Sequence, residues 1–437
     1  MITEKLKFLI ITLGCKVNQY DTQSVADLLL SRGHIRVKSG DVADVCIVNT
    51  CAVTADGARK SRHAVKRLKK LYPNAKIAVC GCLPELTGES VSELKADLIG
   101  GSKNRTEFVS RLESMFKLAS ETDATRLSVL PFKNVTAFED IPPSTVSART
   151  RALLKIQDGC DCFCAYCIVP FLRGPSRSLT PSRVLEHAKT LANHGHREII
   201  ITGIEISSYG KDLECKTDII HLMKQLGNAV PEVRLRLGSL EPSIITEEFC
   251  EELKSVKKLC RHFHLSMQSA CDKTLQKMGR KYSVSELKQS IELLKSGFPN
   301  CAVTADLIVG FPGETEFDFD ETMMFIKTAA FADMHVFKYS RRPGTAAEKM
   351  PAQVSSKEIA RRARLASLQA IAMKENFLDS HIGEALEVLF ESYNAGYSVG
   401  YSDNYIEIAV EDEIPKHTII KVMPLRRDGE RLICNVI

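Results

Sequence analysis

The sequence predicts an α/β protein built in three parts. A parallel α/β sheet comes first, a partial barrel of six βα repeats follows, and a small all-β barrel ends the chain. Three observations carry that prediction. Apolar runs alternate with helix-like segments at the start, which implies a parallel sheet with crossover helices. Six further strand-like runs recur with helices between them, two short of a closed eight-fold barrel. Beyond residue 376 short alternating strands follow one another with no helices between them. A chain of 437 residues is also too long for one ordinary core. Domains are expected over residues 1–140, 146–376 and 377–437.

In the first part the strand-like runs are Lys7–Thr12, Val45–Asn49 and Lys76–Cys80, with helices expected over Asp21–Ser31 and Ala55–Leu71. Each strand runs into a cysteine just past its C-terminal end: Cys15 in TLGCKVNQY, Cys51 in VNTCAVT and Cys82 in VCGCLPE. C-terminal edges of an open parallel sheet line one crevice, so cysteines some thirty residues apart can meet there. Unrelated buried thiols account for Cys46 and Cys80, inside strands, better than for three cysteines at equivalent strand ends. The run Arg59–Lys70 holds seven Lys or Arg in twelve residues. It reads equally as a solvated face or as a phosphate-binding surface for RNA. Pro142-Pro143 marks a linker near Asp140–Thr145.

The central strands are expected at Ala152–Ile156, Glu198–Thr202, Val233–Leu237, His262–Met267, Val303–Val309 and His335–Tyr339. The loop QDGCDCFCAYC, Gln157–Cys167, follows the first of them and organises the chain. Cys160, Cys164 and Cys167 stand in a C-x3-C-x2-C spacing, with Tyr166 before the last. One short loop so spaced can wrap a cubane and supply three thiolates to a 4Fe-4S cluster, leaving one iron open. A structural zinc site would normally pair two C-x2-C hooks, and no second hook lies nearby. Cys162 reads as a spacer pointing away. Polar groups stand near later strand ends: Gly203 and Glu205, Ser239 and Glu241, Gln268, and Asp306. Arg280, Lys281 and Tyr282 read as a solvated helix end rather than a substrate-guiding element.

The segment Ser356–Glu375 has helical periodicity and reads as a connecting helix. Strands are then expected at Ala385–Phe390, Ser398–Tyr401, Tyr405–Val410, Thr418–Pro424 and Arg431–Val436. From Phe377 onward five Lys or Arg face eleven Asp or Glu. That acidic module is a poor electrostatic fit to an RNA backbone, so an RNA partner is expected to meet much of its phosphate contact on the basic helix and the central domain.

Composition narrows the class. Hydrophobic residues make up 44% of the chain, and no apolar run approaches the ~20 residues of a membrane helix. The apolar run Phe8–Leu13 is shorter than the ~7–15 residues of a signal peptide's core. Fifteen cysteines without an export signal indicate a reducing cytoplasm and metal use rather than a disulfide framework. The net charge of +5 permits an anionic partner without demanding one.

The cysteine loop resembles that of the radical S-adenosylmethionine (SAM) enzymes. With its continuation IVPFLRGPSRS, Ile168–Ser178, it is similar to the methylthiotransferase branch, and the resemblance covers nearly the whole chain. It implies a 4Fe-4S cluster on the catalytic Cys160, Cys164 and Cys167, with SAM on the open iron cleaved reductively to a 5′-deoxyadenosyl radical. It implies a second 4Fe-4S cluster on Cys15, Cys51 and Cys82, where the transferred sulfur docks. Tyr166, Gly203, Glu205, Ser239, Glu241, Gln268 and Asp306 are then implied SAM contacts, and the last strands a TRAM (OB-like) domain. SAM serves twice, as methyl donor and as radical source. The stretch TLGCKVNQYDT resembles the type acting on N6-threonylcarbamoyladenosine beside the anticodon. The implied partners are a tRNA anticodon loop, a reductase or flavodoxin-type electron donor, and a sulfur donor that the sequence does not name.

Other substrates within the branch are isopentenyladenosine in tRNA and a ribosomal-protein aspartate. The acidic C-terminal module would suit the latter. A reading of another class is a non-enzymatic metal-binding, RNA-binding protein. Three-cysteine, open-site arrangements in two places argue against it.

Overall fold

The computed structural model describes residues 5–86, 94–117, 137–143 and 150–437. The expected linker at 140–145 lies partly outside them. The first sheet contains β1 (Lys7–Thr12), β2 (Ile35–Arg36), β3 (Val45–Thr50), β4 (Lys76–Gly81) and β5 (Leu98–Ile99). Its order is β2-β1-β3-β4-β5 and every pairing is parallel. Alternate side chains feed two cores. Phe8, Ile10, Val45 and Ile47 pack under α1 (Lys16–Ser31) and α3 (Arg105–Ser114). Leu9, Cys46, Val48 and Val79 pack under α2 (Ala55–Leu71). Both faces are covered, so the strands read as unbroken apolar runs. Helix α1 starts five residues before the expected Asp21. Gly14, at φ +101°, turns the chain immediately after β1, and Cys15 is the N-cap.

The second body is the open barrel. Strands β6 (Arg151–Lys155), β9 (Glu198–Thr202) and β10 (Arg234–Leu237) form one parallel sheet in the order β10-β9-β6. β11 (Ser239–Leu240), β12 (His262–Gln268), β13 (Ala302–Val309) and β14 (Asp333–Lys338) form a second, in that order. An isolated bridge joins Leu235 to Leu259. No ladder joins β6 to β14 among the described residues, so the barrel stays open there. Between β6 and β9 lies a short antiparallel pair, β7 (Gln157–Asp158) with β8 (Arg177–Ser178).

Strand periodicity of two decides the lumen. Ala152, Leu154, Ile199, Ile201, Leu235, Phe263, Leu265, Val303, Ala305 and Met334 join the core beneath the outer helices. The alternate positions therefore face inward: Arg151, Lys155, Glu198, Arg236, His262, His264, Thr304, Asp306 and His335. A polar lumen wrapped by an apolar shell results.

The last five strands, β15 (Leu386–Asn394), β16 (Tyr397–Ser402), β17 (Glu407–Val410), β18 (Ile419–Asp428) and β19 (Arg431–Val436), close into a barrel. Its order is β15-β16-β17-β19-β18 around Val388, Phe390, Ile408, Val422 and Leu432. The turn after β16 closes the N-terminal end of the larger barrel. Tyr405 stacks on His262 at 4.8 Å, and the Arg236 guanidinium lies 4.8 Å above the Tyr405 ring. Arg236 donates to the carbonyls of Ser402 and Asp403. The acidic charge of the small barrel is partly spent in this docking. Asp403 pairs with Arg261 at 2.6 Å, Glu387 with Arg234 at 2.9 Å, and Glu391 with Arg151 at 2.6 Å. No helix of the described residues is long and apolar enough to cross a membrane.

A buried charge network binds the first sheet to the large barrel. Asp21 of α1 pairs with Lys155 of β6 at 2.7 Å, Arg105 of α3 at 2.5 Å and Arg173 at 3.1 Å. Asp158 takes Lys155 and Arg173, both at 3.0 Å. All five side chains are at most 8% exposed, so none is screened by water. Burial disfavours both carboxylates, but the surrounding cations outweigh it and hold them well below the usual range. Removing one member strands the others. Asp21→Asn should cost about 3–5 kcal/mol, read as a fall in the thermal unfolding midpoint. The same exchange at exposed Asp56 should leave the midpoint near wild type.

Candidate active site

The cysteine loop starts where β7 and β8 pinch the chain. Gly159, at φ +77°, has no room for a Cβ, which would collide with the Pro175 carbonyl. Gln157 ties the loop to the end of β9. Its Nε2 donates to Gly159 O at 2.7 Å, and its Oε1 accepts from the amides of Ile204 and Glu205 at 3.0 and 2.9 Å. After Cys167 the chain forms the short helix α4 (Val169–Arg173). Ile168 and Leu172 insert into the α2-side core of the first sheet, beside Cys82 and Leu83. The loop is thereby pressed against the first sheet.

Cys164 and Cys167 bear on one another electrostatically, and Cys162 bears on both Cys160 and Cys167. Burial pushes the Cys167 thiol up to about 12. Arg280 is 4% exposed and places Nη1 3.3 Å from Cys164 Sγ. Its other nitrogen reaches Glu241 at 3.4 Å and Ser266 O at 3.1 Å. Tyr282 is buried beside it, its hydroxyl donating to Ser266 O at 3.2 Å. The Arg280–Tyr282 element is therefore not a solvated helix end. Only Lys281 faces water. Cys162 also departs from expectation. Its sulfur lies within 4.8 Å of carboxylate oxygens of Glu205 and Glu241, so it turns into the site.

The strand-end residues divide. Glu205 and Glu241 converge on the cysteine loop, and burial, reinforced by Glu241, raises the Glu205 carboxyl. Gly203 permits close packing, since a Cβ there would stand 2.8 Å from Ile206 and 3.0 Å from Gln157 O. Tyr166 packs with the Ala165, Met278 and Phe311 cluster. Gln268 ends β12 at φ +65°. Ser239 opens β11, opposite His264. Asp306 lies in mid-strand, away from the loop. It accepts from His264 at 3.1 Å and His335 at 3.2 Å, and these two hold its carboxyl down at about 2 against burial.

The second cysteine set also assembles at the C-terminal edge of its sheet. A Cβ on Gly14 would meet Cys51 Sγ at 3.0 Å, so only glycine lets Cys15 and Cys51 approach. Cys82 bears on both Cys15 and Cys51, and burial pushes its thiol up to about 12. Arg173 crosses from α4 to this set. It bears electrostatically on Cys82 and places Nη2 2.6 Å from Asn18 Oδ1. Asn18 in turn donates to Leu13 O and Thr50 O, the chain on either side of the sheet edge. Sequence reasoning missed Arg173 and Asn18. A lone arginine ending the apolar segment IVPFLR was the available signal.

Three thiols in each set suit a 4Fe-4S cluster with one iron left open. A guanidinium, that of Arg280, lies against Cys164 Sγ, a contact favoured when sulfur is a metal-bound thiolate, and that of Arg173 bears electrostatically on Cys82.

Comparison with known proteins accords with this geometry. The Radical SAM superfamily profile matches residues 154–326, and that of the "Uncharacterized protein family UPF0004" matches residues 7–101. Among solved structures, the radical S-adenosylmethionine methyltransferase TsrM from Kitasatospora setae aligns with TM-score 0.58 at 13% identity. The alignment covers 90% of this chain and 79% of that one, a likeness of fold. The fold and the loop thus define a radical SAM protein. The threonylcarbamoyladenosine tRNA methylthiotransferase MtaB of Bacillus subtilis is 35% identical over 94% of this chain and 92% of its own length. That of Chlamydia pneumoniae is 32% identical over 98% of each. The tRNA-2-methylthio-N(6)-dimethylallyladenosine synthase of Pelotomaculum thermopropionicum is 33% identical over 98% of this chain and 96% of its own. The chain belongs to the radical SAM tRNA methylthiotransferase family.

Two independent clusters make a countable prediction. Cys164→Ala and Cys51→Ala should each lower bound iron by about half, from about eight atoms per chain. Arg280→Gln should keep its iron yet slow reductive SAM cleavage about 10- to 100-fold. Iron assay and 5′-deoxyadenosine release read the two effects separately.

Proposed function

We propose that this protein methylthiolates N6-threonylcarbamoyladenosine beside the anticodon of tRNA, at adenine C2. The observation that carries the reading is the pairing of two three-cysteine sites across one interface. Family membership and the similarity to MtaB proteins support the substrate. Cys160, Cys164 and Cys167 hold one 4Fe-4S cluster, and Cys15, Cys51 and Cys82 hold the other. When bound, the first with SAM supplies hydrogen abstraction, and the second supplies sulfur, with a further SAM as its methyl source.

The chain's own groups do the positioning. Glu205 and Glu241 beside Cys162 offer carboxylates to an ammonium such as that of SAM. Arg280 balances thiolate charge at one site and Arg173 at the other. Gln157 and Gly159 hold the loop rigid, and the outer core keeps water from the barrel wall. The adenine must leave its stack to reach this recess, which is easier in a single-stranded loop than in a duplex.

Helix α2 supports RNA as the partner. Its buried face is Ala58, Ser61, Val65 and Leu68, while Arg59, Lys60, Lys66, Arg67 and Lys70 are exposed. Its N-terminus abuts the large barrel, where the Ala55 amide donates to Ser340 Oγ at 2.9 Å. Phosphate contact therefore falls to this helix while acidic groups of the small barrel hold the fold together. The cytoplasm, an electron donor of the reductase or flavodoxin type and a separate sulfur donor complete the reading.

Mass spectrometry of digested tRNA from cells with and without the protein tests it. The 2-methylthio derivative should disappear on deletion while the unthiolated nucleoside accumulates. Cys51→Ala should cleave SAM but insert no sulfur. Unchanged nucleosides on deletion, in cells that make the modification, refute the reading.

A further inference from the structure

Three neighbouring strands of the large barrel each send one metal-binding side chain into the lumen. β12 gives His264, β13 gives Asp306 and β14 gives His335. The ladders pair Asp306 directly with His335, and His264 with Thr304, the preceding inward position of β13. Adjacent strands lie ~4.8 Å apart, so side chains on one face at neighbouring positions meet. His264 Nε2 stands 3.1 Å and His335 Nδ1 3.2 Å from the same oxygen, Asp306 Oδ1. All three atoms lie within 4.8 Å of one another. No cysteine belongs to the group.

Two imidazoles and a carboxylate are a donor set for a divalent ion. Donors held ~2.1 Å from one ion stand roughly 3–3.4 Å from one another, and both N–O separations match that spacing. A metal-bound histidine usually has its other ring nitrogen engaged, which fixes the ring. His264 meets that condition. Its Nδ1 lies 2.8 Å from Thr304 Oγ1, and that hydroxyl lies 3.2 Å from His262 Nε2 behind it. These contacts turn His264 Nε2 toward Asp306. A way in also exists. The His264 and Asp306 side chains are 13% and 22% exposed, whereas that of His335 is 63% exposed. His335 belongs to β14, which has no ladder on its far side among the described residues. An ion entering by that edge meets His335 first and the shielded carboxylate behind it.

We propose that His264, Asp306 and His335 bind one divalent ion of the zinc or manganese kind in the barrel lumen. Three protein donors leave at least one position for water or for an oxygen of a bound ligand. Hydrogen bonding alone explains less of the arrangement. A carboxylate offers two oxygens, yet both rings converge on one. Strands rather than loops carry all three donors, so the set needs no rearrangement to close on an ion. The site does not depend on which nucleoside the protein modifies.

Mn2+ is the probe, because it is a poor match for thiolates and reports its own binding by EPR. The cluster-loaded protein, with its clusters oxidised and EPR-silent, is titrated with Mn2+ in the absence of SAM. Wild type should take up one ion per chain at a saturable site, and pulsed EPR should show imidazole nitrogen coupled to the bound ion. His335→Gln should weaken that binding about 100-fold. The position is exposed, so the fold should hold, and an unchanged iron content per chain checks this. Asp306→Asn should weaken binding by a similar factor. No saturable binding in wild type, bound Mn2+ without nitrogen coupling, or a His335→Gln protein that binds like wild type overturns the inference.

Discussion

Five buried charges set the distance between the two cysteine sites. Lys155 leaves the end of β6, Arg173 leaves the helix after the cysteine loop, and both meet Asp21 on the first helix of the chain. Asp158, at the root of the same loop, closes the circuit. Groups so fully desolvated tolerate no loosening, because a displaced partner leaves an uncompensated charge. The network therefore fixes the first sheet, the loop and the barrel wall as one unit. Arg173 belongs to the network and also reaches Cys82. Charge balance at one cysteine site is thereby linked mechanically to the loop that carries the other.

The large barrel shows a second division of labour. Its strands send apolar side chains outward to the helices and polar ones inward, so the lumen is lined by arginines, histidines and carboxylates. Such a lining must be satisfied at the floor. The small barrel does this with one turn, whose Tyr405 ring covers His262 and whose carbonyls accept from Arg236. The acidity of the C-terminal module, puzzling for a partner of RNA, thus has a structural outlet in Glu387, Glu391 and Asp403.

Much of this was legible in the sequence. Apolar runs marked every strand of the first sheet longer than two residues. The bounds expected for α2 and β9 match those observed. The spacing of Cys160, Cys164 and Cys167 announced their loop, and Cys15, Cys51 and Cys82 were placed together by topology alone. Some features were not legible. The two-residue strands β2, β5, β7, β8 and β11 carry no periodicity to detect. Cys162 looked like a spacer because spacing says nothing of side-chain direction. Arg280 looked solvated because charged residues at helix ends usually are.

The sequence alone determined the order of the elements, the two sets of three cysteines and the basic stripe on α2. Those follow from local pattern, and local pattern survives without neighbours. Tertiary structure decided which charges would be buried together and which would face the lumen. Asp21, Lys155 and Arg173 lie far apart along the chain and show no common motif. Only the packing of α1 against β6, and of α4 against the edge of the first sheet, makes them partners.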